Sequence, residues 1–189
     1  MERRQRITDY WVYGGFVFSF ILLAFLLPYS KTLSLFEFLL CLHLPVYMWH
    51  QYEEHDDDRF RTFLDQTFGQ GILKQEAIFV INVFGVWALF SLLTLLALHV
   101  SPGLGIGVAY LTLVNALVHL VQFIKLRGYN PGLETAIFLF IPLSGFCLFE
   151  SFVNERFPVP QHVLGVLIGI GVHALIVIYA VRQARNLRR

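Results

Sequence analysis

His50-Gln51-Tyr52-Glu53-Glu54-His55 marks the point where an apolar segment, residues 33–50, runs out into a cluster of ionisable side chains. Along a helix that advances 100° per residue, Glu54 falls about 40° from His50 and Glu53 about 60° to the other side, so one imidazole is flanked by two carboxylates. Such a group can hold a metal ion or move a proton. The segment leading into it reads as a membrane span, and that reading decides the fold.

The remainder of the chain agrees with it. The 189 residues are 57% hydrophobic and 16% aromatic, with a mean hydropathy of +0.64, outside the range of soluble domains. Further apolar runs at 11–28, 77–100, 103–124, 135–153 and 163–181 bring the count to six, each near the ~20 residues needed to cross a ~30 Å hydrocarbon core. The fold class is therefore all-α integral membrane: a bundle of about six transmembrane helices forming a single domain over residues 1–189. Ser101-Pro102-Gly103 separates the third and fourth spans, Pro142 lies inside the fifth, and Gly165 and Gly169 form a small-xxx-small pair suited to close helix packing. Cys41 and Cys147 both fall within apolar runs, which argues against a disulfide framework. A formal net charge of +1 gives no footprint for nucleic acid.

Orientation follows from basic residues, which accumulate in cytoplasmic loops. With six spans, 12 of the 14 Lys and Arg lie on the side of the termini, including Arg3, Arg4, Arg6, Arg188 and Arg189, and only Lys31 and Arg156 lie opposite. The expectation is a multi-pass protein of the cell membrane with both termini cytoplasmic and the His50–His55 stretch on the cytoplasmic side. Residues 52–75 then form the long cytoplasmic connection between spans two and three. Within it, Phe60, Phe63, Leu64 and Phe68 recur at helical spacing among Arg59, Arg61 and Asp65, the pattern of a short helix lying in the membrane interface. It is either a lid over the site or an ordinary helix covering the bundle.

Ionisable groups inside apolar spans are costly to insert, so each asks for a partner or a purpose. In the fourth span Asn115, His119 and Gln122 share one stripe of a helix otherwise built of Leu, Val and Ala. His119 lies about 9 Å inside the cytoplasmic end at 1.5 Å per residue, a level that His50 reaches if its helix tilts. His43 lies about 10 Å deeper than His50 on nearly the same face and reads as supporting or structural. Glu76 and Asn82 open the third span and stand near enough to contribute. After the fourth span, Tyr129-Asn130-Pro131-Gly132 is a turn signal, and Tyr129 and Thr135 flank it, with Thr135 also suited to cap the fifth helix.

These three segments resemble the family of membrane proteins named for an HXXEE motif. His50-Gln51-Tyr52-Glu53-Glu54 matches the motif itself, Asn115-Ala116-Leu117-Val118-His119 an Asn-x-x-x-His pattern, and Tyr129-Asn130-Pro131-Gly132-x-x-Thr135 a third, over roughly residues 45–140. The resemblance implies an enzymatic role and carries no established reaction or substrate.

Imidazole and carboxylate suit zinc, iron or manganese, and His50, Glu53 or Glu54, and His119 would supply three ligands with one position left for water. The first expectation is a metal-dependent hydrolase acting on a lipid or lipid-linked substrate at the cytoplasmic leaflet. In it, whichever of Glu53 and Glu54 is not a ligand acts as base, and Tyr129 or Asn115 steadies the oxyanion. The same residues also fit a metal-free His/Glu proton-transfer isomerase or cyclase on an isoprenoid-like lipid. They fit as well a non-catalytic lipid-binding or transport protein whose buried polar network sets helix register. Assembly as a homo-oligomer is compatible with each. The seven histidines do not form the His-x-x-x-His boxes of membrane desaturases.

Overall fold

The structure is a computed structural model that describes residues 2–155 and 157–187, with side chains from residue 7 onward. Arg156, Arg188 and Arg189, and the side chains of Arg3, Arg4 and Arg6, all used in the charge count, lie outside the described residues. The chain is all-helical, with no strand among the described residues. Six long helices are α1 (Glu2–Leu26), α2 (Leu35–His55), α4 (Gln75–His99), α5 (Ile106–Leu126), α6 (Leu133–Val153) and α7 (Val159–Leu187). A shorter one, α3 (Arg59–Phe68), follows α2.

Five of these segments, all but α2 and α3, are long and apolar enough to cross a membrane, which makes this a multi-pass membrane protein. They leave Phe25, Phe138, Phe146, Leu167 and Leu175 more than half exposed, side chains that hydrocarbon and not water would cover. The sixth, α2, is different because it runs through the middle of the bundle. It packs against α1, α4, α5 and α6, and its buried residues include His43, His50, Gln51, Glu54 and His55 beside Phe36, Leu40 and Tyr47. Being sheathed by other helices is what lets α2 carry polar groups that a lipid-facing helix could not.

Local chemistry accounts for where the helices begin and bend. Ser34 and Glu37 form a reciprocal capping box at the start of α2. Between α2 and α3 the backbone turns through Asp57 (φ 50°) and Asp58 (φ 61°), left-handed positions that Asp tolerates better than most residues. Pro142 withholds an N–H from the carbonyl of Phe138, and a π-helical stretch at Ala136–Phe140 precedes it in α6. A second π-helical stretch, Val80–Trp87, interrupts α4. Against α7, Gly165 and Gly169 let α5 approach until an added Cβ would stand 2.5 Å from the Tyr110 ring and 3.0 Å from its carbonyl oxygen.

Thr8 near the start of α1 accepts a hydrogen bond at its carbonyl from Gln75, and Leu187 at the end of α7 lies beside Gly71. Both ends of the described chain therefore meet the 69–75 segment at one end of the bundle. The helix α3 lies at the same end, with Leu64 buried and Phe60 and Phe63 packed on a cluster containing Trp11, Ile72 and Ile78. Cys41 and Cys147 are unpaired.

Candidate metal centre

Three segments that the sequence set apart converge at that end. Along α2, His50 and Glu54 project on one side, one turn apart, and His119 of α5 faces them, its ring centroid 4.9 Å from that of His50. Glu54 Oε2 stands 3.8 Å from His50 Nε2, and Glu54 Oε1 stands 3.7 Å from His119 Nε2. All three residues are buried, and one ligand atom from each lies within 4.8 Å of the others.

The protonation of both imidazoles is fixed from behind. Asn130 donates its amide to the His119 carbonyl at 3.0 Å, which turns its oxygen toward His119 Nδ1 at 2.6 Å, so that nitrogen carries the proton. Thr135 gives its hydroxyl proton to Glu53 Oε2 at 2.5 Å and accepts from His50 Nδ1 at 2.8 Å, so that nitrogen is also protonated. Each ring then presents an Nε2 lone pair to the Glu54 carboxylate, and His50 Nε2 is buried with no hydrogen-bond partner. Three acceptors face one another at distances beyond a normal hydrogen bond. A cation among them would resolve the conflict: Glu54 stands a few tenths of an ångström farther from each imidazole than the ~3.3 Å edge of a tetrahedron with 2.0–2.1 Å zinc bonds.

The turn between α5 and α6 is built to reach this group. Gly132 adopts φ +92°, and a Cβ there would lie 2.6 Å from His50 Cε1 and 2.8 Å from His119 Cε1. In Tyr129-Asn130-Pro131-Gly132-x-x-Thr135, then, Asn130 holds one histidine, Thr135 the other, and Gly132 passes between them.

Glu53 and Glu54 part company here. Glu53 leaves the histidines and accepts from Tyr129 Oη (2.8 Å), the Glu134 N–H (3.1 Å), the Thr135 N–H (2.8 Å) and the Thr135 hydroxyl. It caps α6 from another helix, a place where a carboxylate meets unpaired N–H groups and the positive end of the helix dipole. Burial works against its charge, but those four donors more than offset it, so the carboxyl is held below the usual range. Tyr129, through partial burial and its bond to Glu53, is pushed up to about 12 and stays a donor. Its hydroxyl is occupied by Glu53, whereas Asn115 stands at the cavity wall with its Oδ1 buried and unpartnered, and its Nδ2 is 3.4 Å from Tyr47 Oη. Thr135 does not cap its own helix with its side chain; Gly132 occupies the cap position.

Some participants were not anticipated. His55 Nε2 lies 3.2 Å from Glu54 Oε2 and 3.4 Å from Asn82 Nδ2. Asn82, which the sequence did place near the site, is aimed by a directed chain in which Trp87 donates to Gln51 and Gln51 donates to Asn82 at 2.8 Å. His173 of α7 donates Nδ1 to the Gly169 carbonyl, which leaves Nε2 as the free acceptor of a side chain lining the same cavity as Glu54 and His119. Of the remaining sequence candidates, Glu76 lines a separate polar cleft, and His43 is buried with its Nδ1 on the Leu39 carbonyl.

A cavity of about 420 Å³ opens beside the Glu54–His119 pair. Glu54, His55, Asn82, Asn115, His119 and His173 give it a polar wall, while α3, α4 and α7 supply apolar ones from Leu64, Ile78 and Val177. That size and that mix of many apolar and few convergent polar groups suit a small amphiphilic ligand. The helix α3 covers this cavity, contributing Phe60, Leu64 and Phe68.

Residues 41–147 match a protein family described as of unknown function with an HXXEE motif. No curated protein and no solved structure matches the chain.

Proposed function

This chain belongs to the HXXEE-motif family, and we propose that it is a metal-dependent membrane hydrolase whose ligands are His50, Glu54 and His119 and whose substrate is a lipid or lipid-linked molecule. One observation carries the reading: two imidazole lone pairs and a carboxylate converge without a proton to share, at the polar wall of a largely apolar cavity. Zinc, iron or manganese suits this donor set. A metal bound there would acidify a coordinated water and polarise a substrate carbonyl or phosphoryl oxygen.

The chain's own groups have distinct tasks. Thr135 and Asn130 hold the two imidazoles in the tautomer that a cation requires, the role of outer-shell partners generally. Glu53 fixes Thr135 and the start of α6, and so acts through His50, not on the substrate. With Glu53 committed in this way, His55 is the side chain outside the ligand set that stands beside Glu54 and can take up a proton. Asn115, unpartnered at Oδ1, lines the cavity where a substrate polar group would rest, and Tyr129 steadies Glu53. The metal-free proton-transfer reading is weaker, because it rests on the 3.2 Å His55–Glu54 contact alone and leaves His50 Nε2 and His119 Nε2, 3.8 and 3.7 Å from Glu54, with no proton between them.

Purified protein supplied with zinc, iron(II) or manganese and a panel of acyl esters, acyl amides and lipid phosphoesters should release a hydrolysis product detected by mass spectrometry. Glu54→Gln and His119→Ala should abolish it. Turnover that persists in either folded variant, or in metal-stripped wild type, would contradict the proposal.

A further inference from the structure

The cavity meets the outside of the bundle on the flank of α5. There an apolar groove of about 420 Å³ runs along Val114, Leu117, Val121 and Leu126, with Gln122 and Lys125 toward one end. Leu117, Val121 and Leu126 are 44–48% exposed, on a helix that crosses the membrane, so hydrocarbon covers this groove. Three side chains, Phe68, Val118 and Gln122, line both the groove and the interior cavity. Their side chains form a wall common to the lipid-facing groove and the chamber beside Glu54. Phe68 is the last residue of α3 and is itself 52% exposed, so it closes this wall without belonging to the core.

The polar groups along this path are ordered. His119, Gln122 and Lys125 follow one another at three-residue intervals on α5, about 4.5 Å apart along the axis. Gln122 Oε1 is buried without a partner, and Lys125 is the cation of the groove. Another part of the cavity wall is apolar and closed: Leu64, Ile72, Leu73 and Ile78 are all at most 9% exposed.

We propose that the ligand is a lipid with an anionic head group that enters sideways from the bilayer between Phe68 and Gln122. Its head rests on Gln122 and Lys125, and its hydrocarbon chain passes His119 and Glu54 to end against Leu64, Ile72, Leu73 and Ile78. The junction of head and chain then lies within a helical turn of His119. This names the substrate class for the hydrolase reading and rests on that reading's lipid substrate, but not on the metal.

Photo-crosslinking in nanodiscs tests it, using phosphatidylglycerol and phosphatidylcholine probes with a diazirine on the acyl chain, adducts being mapped by peptide mass spectrometry. Adducts should appear on Leu64, Ile72, Leu73 or Ile78, which bulk lipid cannot touch, and phosphatidylglycerol should be favoured about fivefold, the effect of one Lys beside an anionic head. Lys125→Glu should remove that preference. Val118→Trp or Gln122→Trp, plugging the portal, should cut the interior adducts about tenfold and leave those on lipid-facing Phe138 and Leu175 unchanged. Adducts confined to the lipid-facing residues, or interior labelling untouched by both Trp variants, would overturn the proposal. Metal content read on the same samples keeps the two readings apart: a metal-loaded protein without interior adducts refutes this route alone, and interior adducts in metal-free His119→Ala support the route while owing nothing to the metal.

Discussion

Replacing Gly132 with Ala should damage the metal centre far more than the fold. The added Cβ would stand 2.6 Å from His50 Cε1 and 2.8 Å from His119 Cε1, and to regain ordinary contact at 3.4 Å the two rings would have to withdraw by about 0.8 and 0.6 Å. Neither can do so freely, because His50 is tied to Thr135 and His119 to Asn130. Placing Ala at φ +92° costs a further ~1–2 kcal/mol of backbone strain. Displacing supported ligands on that scale should weaken metal binding about 10–100-fold. Gly71→Ala is the matched control: its φ is +74°, so the backbone strain is similar, but its Cβ would meet only Leu187 at 3.4 Å. Zinc affinity from chelator competition and melting temperature from intrinsic fluorescence should then separate the pair. Both variants should melt lower, and only Gly132→Ala should lose zinc. A folded Gly132→Ala protein with wild-type affinity would refute the placement of the ligands around this turn.

Two other substitutions probe the supports behind the histidines. Thr135→Val removes the acceptor of His50 Nδ1 and one donor to Glu53, and should lower zinc affinity about 10–100-fold in the same competition assay, with Thr135→Ser close to wild type. Glu53→Gln tests the cap on α6. Because the folded-state carboxyl is held below its ordinary value, its contribution should be fully present above the unfolded Glu value of about 4.3 and fade as pH falls through the lower folded one. The difference in melting temperature between wild type and Glu53→Gln should therefore be constant near neutrality and shrink in acid, whereas a difference that grows in acid would contradict the assignment.

The sequence is legible where chemistry is local. Six apolar runs gave the helical bundle, and the polar stripe of Asn115 and His119, the His50–Glu54 spacing and the Pro131-Gly132 turn each named part of the site. What stayed hidden depends on contacts between distant segments. Glu53 and Glu54 lie at similarly small angles from His50, and only the docking of residues 129–135 on α2 assigns one to α6 and the other to the histidines. Asn130 reads as an ordinary turn residue because Asn favours turns whatever its side chain then holds. His55 sits among acidic neighbours at a helix end and reads as solvated, and His173 stands alone in an apolar helix, with only its depth relative to His119 to mark it.

The central claim is that His50, Glu54 and His119 hold a metal ion. Protein purified in mild detergent and measured by inductively coupled plasma mass spectrometry should carry close to one equivalent of a transition metal. That metal should be lost from His50→Ala, Glu54→Ala and His119→Ala proteins that remain monodisperse, and retained in His43→Ala. Well-folded wild-type protein that binds none, even after incubation with zinc, iron(II) or manganese, would contradict the account.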